Sequence, residues 1–213
     1  MGHCGTWLRS RLISALYFSL ALAMLRPNIT WAKPSDADGV YGRLDGDLAL
    51  SPSVGLVHYR GDSEIAVGLQ AMYVSTVGIT VQHADSYFLV GSRSVNRGVT
   101  SLDLNLYPLF VSRWSQAMEA GPPLLDLVLD SFMIGIGSFW DYDRDRSQLR
   151  RGASVSTGLS LPLIARAGGP WLSSTLALRF AEGPGFSAPA EVVYGLAFSW
   201  AWFIDSRLHD DKP

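Results

Sequence analysis

Two short runs in this chain have residue types and spacings that chemistry can use. His83, Asp85 and Ser86 offer a base, an acid and a hydroxyl within four positions. These are the parts of a nucleophilic site if the fold brings serine and histidine within hydrogen-bond reach. A surface histidine is the simpler reading, and no catalytic residue is assigned on spacing alone. The run Asp141-Tyr142-Asp143-Arg144-Asp145 alternates acids as a calcium loop does. Such a loop needs Gly at its sixth position and a bidentate Glu at its twelfth. Arg146 and Gly152 stand there instead, so no metal site is assigned. The same region supplies Arg144, Arg146, Arg150 and Arg151, and guanidinium groups pair well with phosphate. On an outer loop these four could contact lipid phosphates, lipopolysaccharide included, although a solvated loop is the plainer reading. No phosphate loop, Cys/His metal spacing, G-x-S-x-G elbow or dinucleotide fingerprint is present. No cofactor is expected.

The chain that must position these residues has 213 residues, 48% hydrophobic and only 17% charged, against about 25% charged in soluble domains. A net charge of −2 leaves no basic footprint for nucleic acid. Met1–Arg11 carries Arg9 and Arg11, Leu12–Leu25 is an apolar run, and Ile29-Thr30-Trp31-Ala32 ends in a small residue. That order reads as a secretory signal peptide over 1–32, cut after Ala32. The apolar run is short of the roughly 20 residues that span a bilayer as a helix. Cys4 would leave with the peptide, as would three arginines, so the mature chain has no Cys and a net charge of −5.

Beyond a polar lead-in at 33–38, the sequence alternates with a period of two, the strand signal. Gly39–Ser51 alternates and can continue past an irregularity at Pro52 to His58. Glu64–Val74, Val77–Gln82, Gly98–Pro108, Phe132–Trp140, Gly152–Ala165, Trp171–Ala181 and Ala190–Asp205 alternate in turn. Short turns at 75–76 and 166–170 and loops at 59–63, 84–97, 141–151 and 182–189 separate them. The segment Leu109–Ser131 is the exception. It reads as two short amphipathic helices divided by Gly121-Pro122-Pro123, with Pro well placed at a helix start. The result is an all-β, antiparallel up-and-down barrel of about eight strands over 39–205, with a polar tail at 206–213.

Alternation alone does not separate a lipid-embedded barrel from a soluble one. In lipid the large apolar face points out and the lumen holds the small and polar residues. Here one face of each strand is rich in Gly, Ser, Ala and Thr, which suits the narrow interior of eight strands. Arg43, Asp45, Asp47, Glu64, Asp103 and Arg179 fall on that face and form a candidate lumen network, which must be paired because an unpaired buried charge is costly. Tyr73, Trp140, Trp171, Trp200 and Trp202 fall near strand ends, the positions of an aromatic girdle. The expectation is an outer-membrane barrel with a structural, adhesive or small-solute role. The alternative is a soluble periplasmic or secreted barrel holding an apolar ligand. The first places 109–131 on the periplasmic side, where only short turns are expected.

By this pattern residues 39–204 resemble the small outer-membrane β-barrels of Gram-negative bacteria. The wording of 109–131 (Pro-Leu-Phe…Arg-Trp, then Leu-Leu-Asp-Leu-Val-Leu-Asp-Ser) resembles a group of uncharacterised exported barrels. The resemblance implies a monomer, outer-membrane lipid as surroundings and the barrel-insertion machinery as partner. The face Tyr194-x-Leu196-x-Phe198-x-Trp200-x-Trp202 resembles the C-terminal aromatic signal read by that machinery. In this chain 206–213 follows it, and Trp202 takes the terminal aromatic's place. Small barrels that act on lipid A use a His with a Ser and an acid, so this resemblance is what makes His83, Asp85 and Ser86 an enzymatic alternative.

Overall fold

The computed structural model describes residues 41–44, 46–59, 61–86, 97–116, 122–143, 147–182 and 190–205. The expected signal peptide, lead-in and polar tail lie outside them, as do Asp45, Arg144 and Arg146. Eight strands, β1 (Leu48–Tyr59), β2 (Asp62–Tyr73), β3 (Val77–Asp85), β4 (Arg97–Leu106), β5 (Met133–Asp143), β6 (Gln148–Pro162), β7 (Gly169–Ala181) and β8 (Glu191–Ile204), form one closed antiparallel barrel in sequence order. Helices α1 (Pro108–Ser115) and α2 (Pro123–Asp130) stand between β4 and β5. Each has Pro at its start, where the missing N–H would have had no intrahelical partner. No described helix is long and apolar enough to cross a membrane.

The first strand begins later than its alternation suggests. Tyr41 and Gly42 have φ of 54° and 83°, a left-handed turn that no strand can contain. The closing stave β8 therefore pairs with Leu48–Tyr59, from Leu48↔Ile204 to Tyr59↔Val193, and not with Gly39–Ser51. The β1–β8 ladder runs to Leu50↔Trp202 and resumes at Ser53↔Ser199. Pro52 falls in that gap, and a residue without an N–H cannot donate to a ladder.

Strands at the other end are longer than expected. Asp141–Asp143 continues β5 and Gln148–Arg151 begins β6, paired from Asp143↔Gln148 to Trp140↔Arg151. The sequence predicts a loop over 141–151. The ladder continues through it because its charges keep the alternation of the strands below.

We call the end bearing Leu48, Ile204, the turns after β2 and β6, and the two helices the terminal end. The opposite end is the loop end. Every strand turns mostly small or polar alternate residues inward and mostly Leu, Val, Ile and aromatic residues outward, with Val57, Tyr59, Val99, Phe139, Trp171 and Val193 among the inward exceptions. Where β1 meets β8 the walls approach closely: a Cβ on Gly55 would lie 2.6 Å from the Cα of Ala197, its register partner. Glycine marks such an approach.

Gly55→Val is therefore expected to oppose closure of the β1–β8 seam. A cost at or above the roughly 1–3 kcal/mol of overpacking is expected. The midpoint of urea unfolding in lipid vesicles should fall, whereas Ser53→Ala should leave it nearly unchanged.

Candidate functional site

The only large internal feature among the described residues is the lumen itself. Its middle is a chamber of about 140 Å³ lined by hydroxyl and amide groups interspersed with small apolar side chains. Such a volume holds several waters, since one water needs on the order of 10–15 Å³ by this measure. Gln70 Nε2 donates to Tyr107 Oη (2.7 Å) and to Thr80 Oγ1 (3.2 Å), and Asn105 Nδ2 donates to Thr80 Oγ1 (2.7 Å). Ser160 and Ser173 share a hydrogen bond of 2.8 Å. The carbonyl Oδ1 of buried Asn105 has no hydrogen-bond partner among the described residues.

The loop end of the lumen is filled by an ionic lattice. Arg97 binds Asp141 through two nitrogens, with Nε to Oδ1 at 2.5 Å. Arg150 reaches Glu191 at 2.8 Å and Asp141 at 3.7 Å. Tyr59 donates to Glu191. The Arg97 guanidinium lies 4.3 Å from the centre of the Tyr59 ring, and that of Arg179 lies 5.8 Å from Tyr59 and 5.2 Å from Phe139. Glu64 is buried in the field of Arg97, Asp141 and Arg179. Asp103, deeper, accepts from Ser154 at 3.0 Å. Bidentate Arg–carboxylate pairs and stacked guanidinium groups are the strong forms of such contacts.

The terminal end is filled differently. Arg43, 3% exposed, donates through Nη2 to the carbonyl of Leu127 (3.0 Å) and approaches Asp130 at 3.8 Å. Its guanidinium lies 5.3 Å from the Phe110 ring and 5.8 Å from that of Trp171. Arg113 of α1 pairs with Asp126 and, at 3.5 Å, with Asp130 of α2. Tyr41 donates to Asp126 at 3.1 Å. Phe110 packs with Ala49, Met72 and Tyr107, and Leu127 packs with Ala167, Trp171 and Ala201. Burial raises the Asp130 carboxyl above its ordinary range, against the opposing pull of Arg43 and Arg113, and Asp126 adds to the rise.

The expected lumen network is thus divided. Glu64, Asp103 and Arg179 face inward on strands, as the alternation predicts. Arg43 is buried, but in the turn below β1, as part of the terminal plug. Asp47 also precedes β1, where its carbonyl accepts from Val74 N at 2.7 Å. Arg97 and Asp141 fall where the sequence predicts loops, and Glu191 lies within the expected strand Ala190–Asp205 but outside the expected lumen network. Continuing the strand alternation past them would have found them, since Arg97 shares the phase of Asp103 and Asp141 that of Gly137.

Arg150 is a correction to the lipid-phosphate set. It occupies the inward phase of β6, where its guanidinium is taken by Asp141 and Glu191. Arg151 faces outward and pairs with Glu182 at 2.8 Å. Trp171 is a correction to the girdle. It faces inward, 8% exposed, with Nε1 bonded to the carbonyl of Ala167 at 2.7 Å. Tyr73 and Trp140 are exposed on the outer surface, and Trp200 and Trp202 share that outward phase, partly exposed. Tyr59 and Tyr107, two further aromatics near the barrel ends, are buried inside.

His83 faces outward near the loop end, with Nε2 3.7 Å from Asp85 and Nδ1 2.9 Å from Thr100 Oγ1. The Ser86 hydroxyl instead donates to the carbonyl of Arg97 at 3.1 Å and accepts from its N–H. The three residues do not assemble a nucleophile and base. No cluster of three or more metal-ligating side chains occurs among the described residues.

No protein-family model matches the chain, and no curated protein matches it in sequence. Among solved structures it is similar to the N-terminal β-barrel domain of Pseudomonas aeruginosa OprF, with a TM-score of 0.50 and 11% identity over 74% of this chain and 98% of that one. It also aligns with Ail, the attachment invasion locus protein of Yersinia pestis, with a TM-score of 0.31 and 6% identity over 73% of this chain and 96% of that one. The first likeness shows the fold: a closed eight-stranded barrel of the kind found in small Gram-negative outer-membrane proteins.

Two outcomes follow from these plugs. Arg97→Met should cost about 3–5 kcal/mol in unfolding, because Asp141 is left buried and short of its partner, and Arg97→Met with Asp141→Leu should recover most of that loss. Both are read from urea midpoints in vesicles. For Asp130, a raised carboxyl means that the folded state holds its proton to higher pH than the unfolded chain. Its contribution to stability is full below the ordinary carboxylate range and falls as pH rises through the raised value. The difference in unfolding free energy between the natural protein and Asp130→Asn, measured across that range, should fall with rising pH.

Proposed function

We propose that the protein resides in the outer membrane as a barrel with a closed lumen, in a structural or adhesive role carried by its loop end. The observation that carries this reading is the outer surface. Large apolar side chains such as Leu56, Leu69, Val81, Leu104, Ile136, Val155, Leu178 and Phe198 stand exposed on all eight strands. Along the outward phase of the strands, charges occur only near the loop end, at Asp85 and Arg151. Water would select against such a face, and hydrocarbon requires it. A soluble barrel with an apolar ligand would need the reverse arrangement, with a polar exterior and an apolar lumen. This lumen is lined by Ser, Thr, Gln, Asn and charged residues together with small apolar ones such as Val57, Ala66 and Val193.

The ion lattice at one end and the Arg43 plug at the other support a barrel that does not conduct. Full closure also satisfies every strand edge, as a spanning structure requires.

Fractionation tests the location. The protein should appear in the outer-membrane fraction and migrate differently on a denaturing gel before and after heating. Recovery as a soluble periplasmic protein refutes the reading. Reconstituted into planar bilayers, the protein should give no steady conductance, and a stable open channel would refute closure.

A further inference from the structure

The helical segment between β4 and β5 is built inside out. Among the described residues of α1 and α2 the charged side chains are Arg113, Asp126 and Asp130, and none is exposed. All three turn toward the barrel mouth and pair there with one another and with Arg43. On α2 the opposite face bears Leu124, Leu125 and Leu129, with Leu125 54% exposed, and on α1 Leu109, Val111 and Trp114 are exposed beside Ser112 and Ser115. An amphipathic helix in water places these two faces the other way round.

The neighbouring turn repeats the inversion. Between β6 and β7, where a solvated turn would be polar, Leu163 and Ile164 are about half exposed. α2 lies against β6, tied by Ser131, whose Oγ donates to the carbonyl of Ser160 and accepts from its N–H, both at 2.8 Å.

The exposed face also continues the outer belt. Leu106 and Ile134 are register partners at the terminal ends of β4 and β5, and both are exposed outward. α1 starts two residues after Leu106, and α2 ends four residues before Ile134. The apolar surface therefore passes from strands to helices across a single step of chain.

We propose that α1, α2 and the β6–β7 turn form a membrane-surface collar, whose outer face docks onto lipid acyl chains at the boundary of the leaflet nearest the terminal end. This inference rests on the reading that the outward belt lies in lipid. Apolar helix faces with an aromatic anchor bury into the headgroup–acyl boundary by area alone. The charges of α1 and α2 are withdrawn into the barrel mouth, where each meets an opposite charge, while Arg166 of the β6–β7 turn stays exposed, as a long basic side chain at a headgroup boundary does. The same helices thus serve twice, sealing the lumen with one face and meeting the leaflet with the other.

Single cysteines carrying a fluorescent label test this in the full chain with Cys4→Ser. Leu125→Cys reports on the collar, Leu104→Cys on the middle of the belt. Each is reconstituted in phosphatidylcholine vesicles and quenched either by lipid bearing a nitroxide near its headgroup or by aqueous iodide. At Leu125→Cys, shallow nitroxide lipid should quench several-fold more than iodide. Strong iodide quenching at Leu125→Cys, with lipid quenching retained by deep nitroxide at Leu104→Cys, overturns the collar and leaves the barrel reading standing. Loss of lipid quenching at Leu104→Cys as well overturns the barrel reading itself. Protection of Leu125→Cys from both quenchers means that protein covers this face, and that also overturns the collar.

Discussion

The structure depends on closure of one backbone ladder, that between β1 and β8. Every strand in the wall has two neighbours only because these two meet. Until they do, both present rows of unpaired N–H and C=O groups, which hydrocarbon cannot satisfy. Closure with eight strands also fixes the lumen at a width that side chains can just fill. Inward residues must then be small, hydrogen-bonded or ion-paired. The glycines, serines and threonines of the inner face answer the first demand. The chamber around Thr80, Asn105 and Tyr107 answers the second, and the lattice around Asp141 answers the third.

The two ends of the lumen are filled by different means. At the loop end, Arg97, Arg150 and Arg179 face Glu64, Asp141 and Glu191 across the narrow interior, and aromatic rings cover two of the guanidinium groups. Each side chain comes from a different strand or register position, so the lattice exists only in the closed barrel. At the terminal end the fill is chiefly apolar, with Phe110, Leu127 and Trp171 packed around a single arginine. Arg43 joins the turn before β1 to both helices: its side chain contacts Phe110, Leu127 and Asp130, and its carbonyl accepts from Ser75 at 3.0 Å. A cation buried this deeply is tolerable because carboxylates of α2 and aromatic faces surround it.

The placement of polarity is the common thread. In a water-soluble domain, burial selects apolar side chains and exposure selects charged ones. On its strands this molecule exposes apolar side chains and buries paired charges, and its helices bury their charges together with Phe110 and Leu127. The reversal on the strands alone would be compatible with helices that simply hang below the barrel. The reversal on α1 and α2 makes the terminal end part of the same apolar surface.

Sequence alone determined the architecture: the alternation, the small inner face, the helical interruption with its two prolines and the irregularity at Pro52. These are local properties, readable because side-chain direction in a strand follows from position modulo two. It also placed Glu64, Asp103 and Arg179 inside. What it could not decide was where strands stop and which charges meet. Arg97, Asp141 and Arg150 looked like loop residues because a charge in isolation favours water. Only the register of neighbouring strands brings them within bonding distance, and pairing is what makes their burial affordable. Trp171 and Trp140 are both tryptophans near strand ends, yet one lies in the plug and the other on the outer surface. Their phase separates them, and the reason Trp171 can be buried, the carbonyl of Ala167 and the guanidinium of Arg43, exists only in the folded barrel.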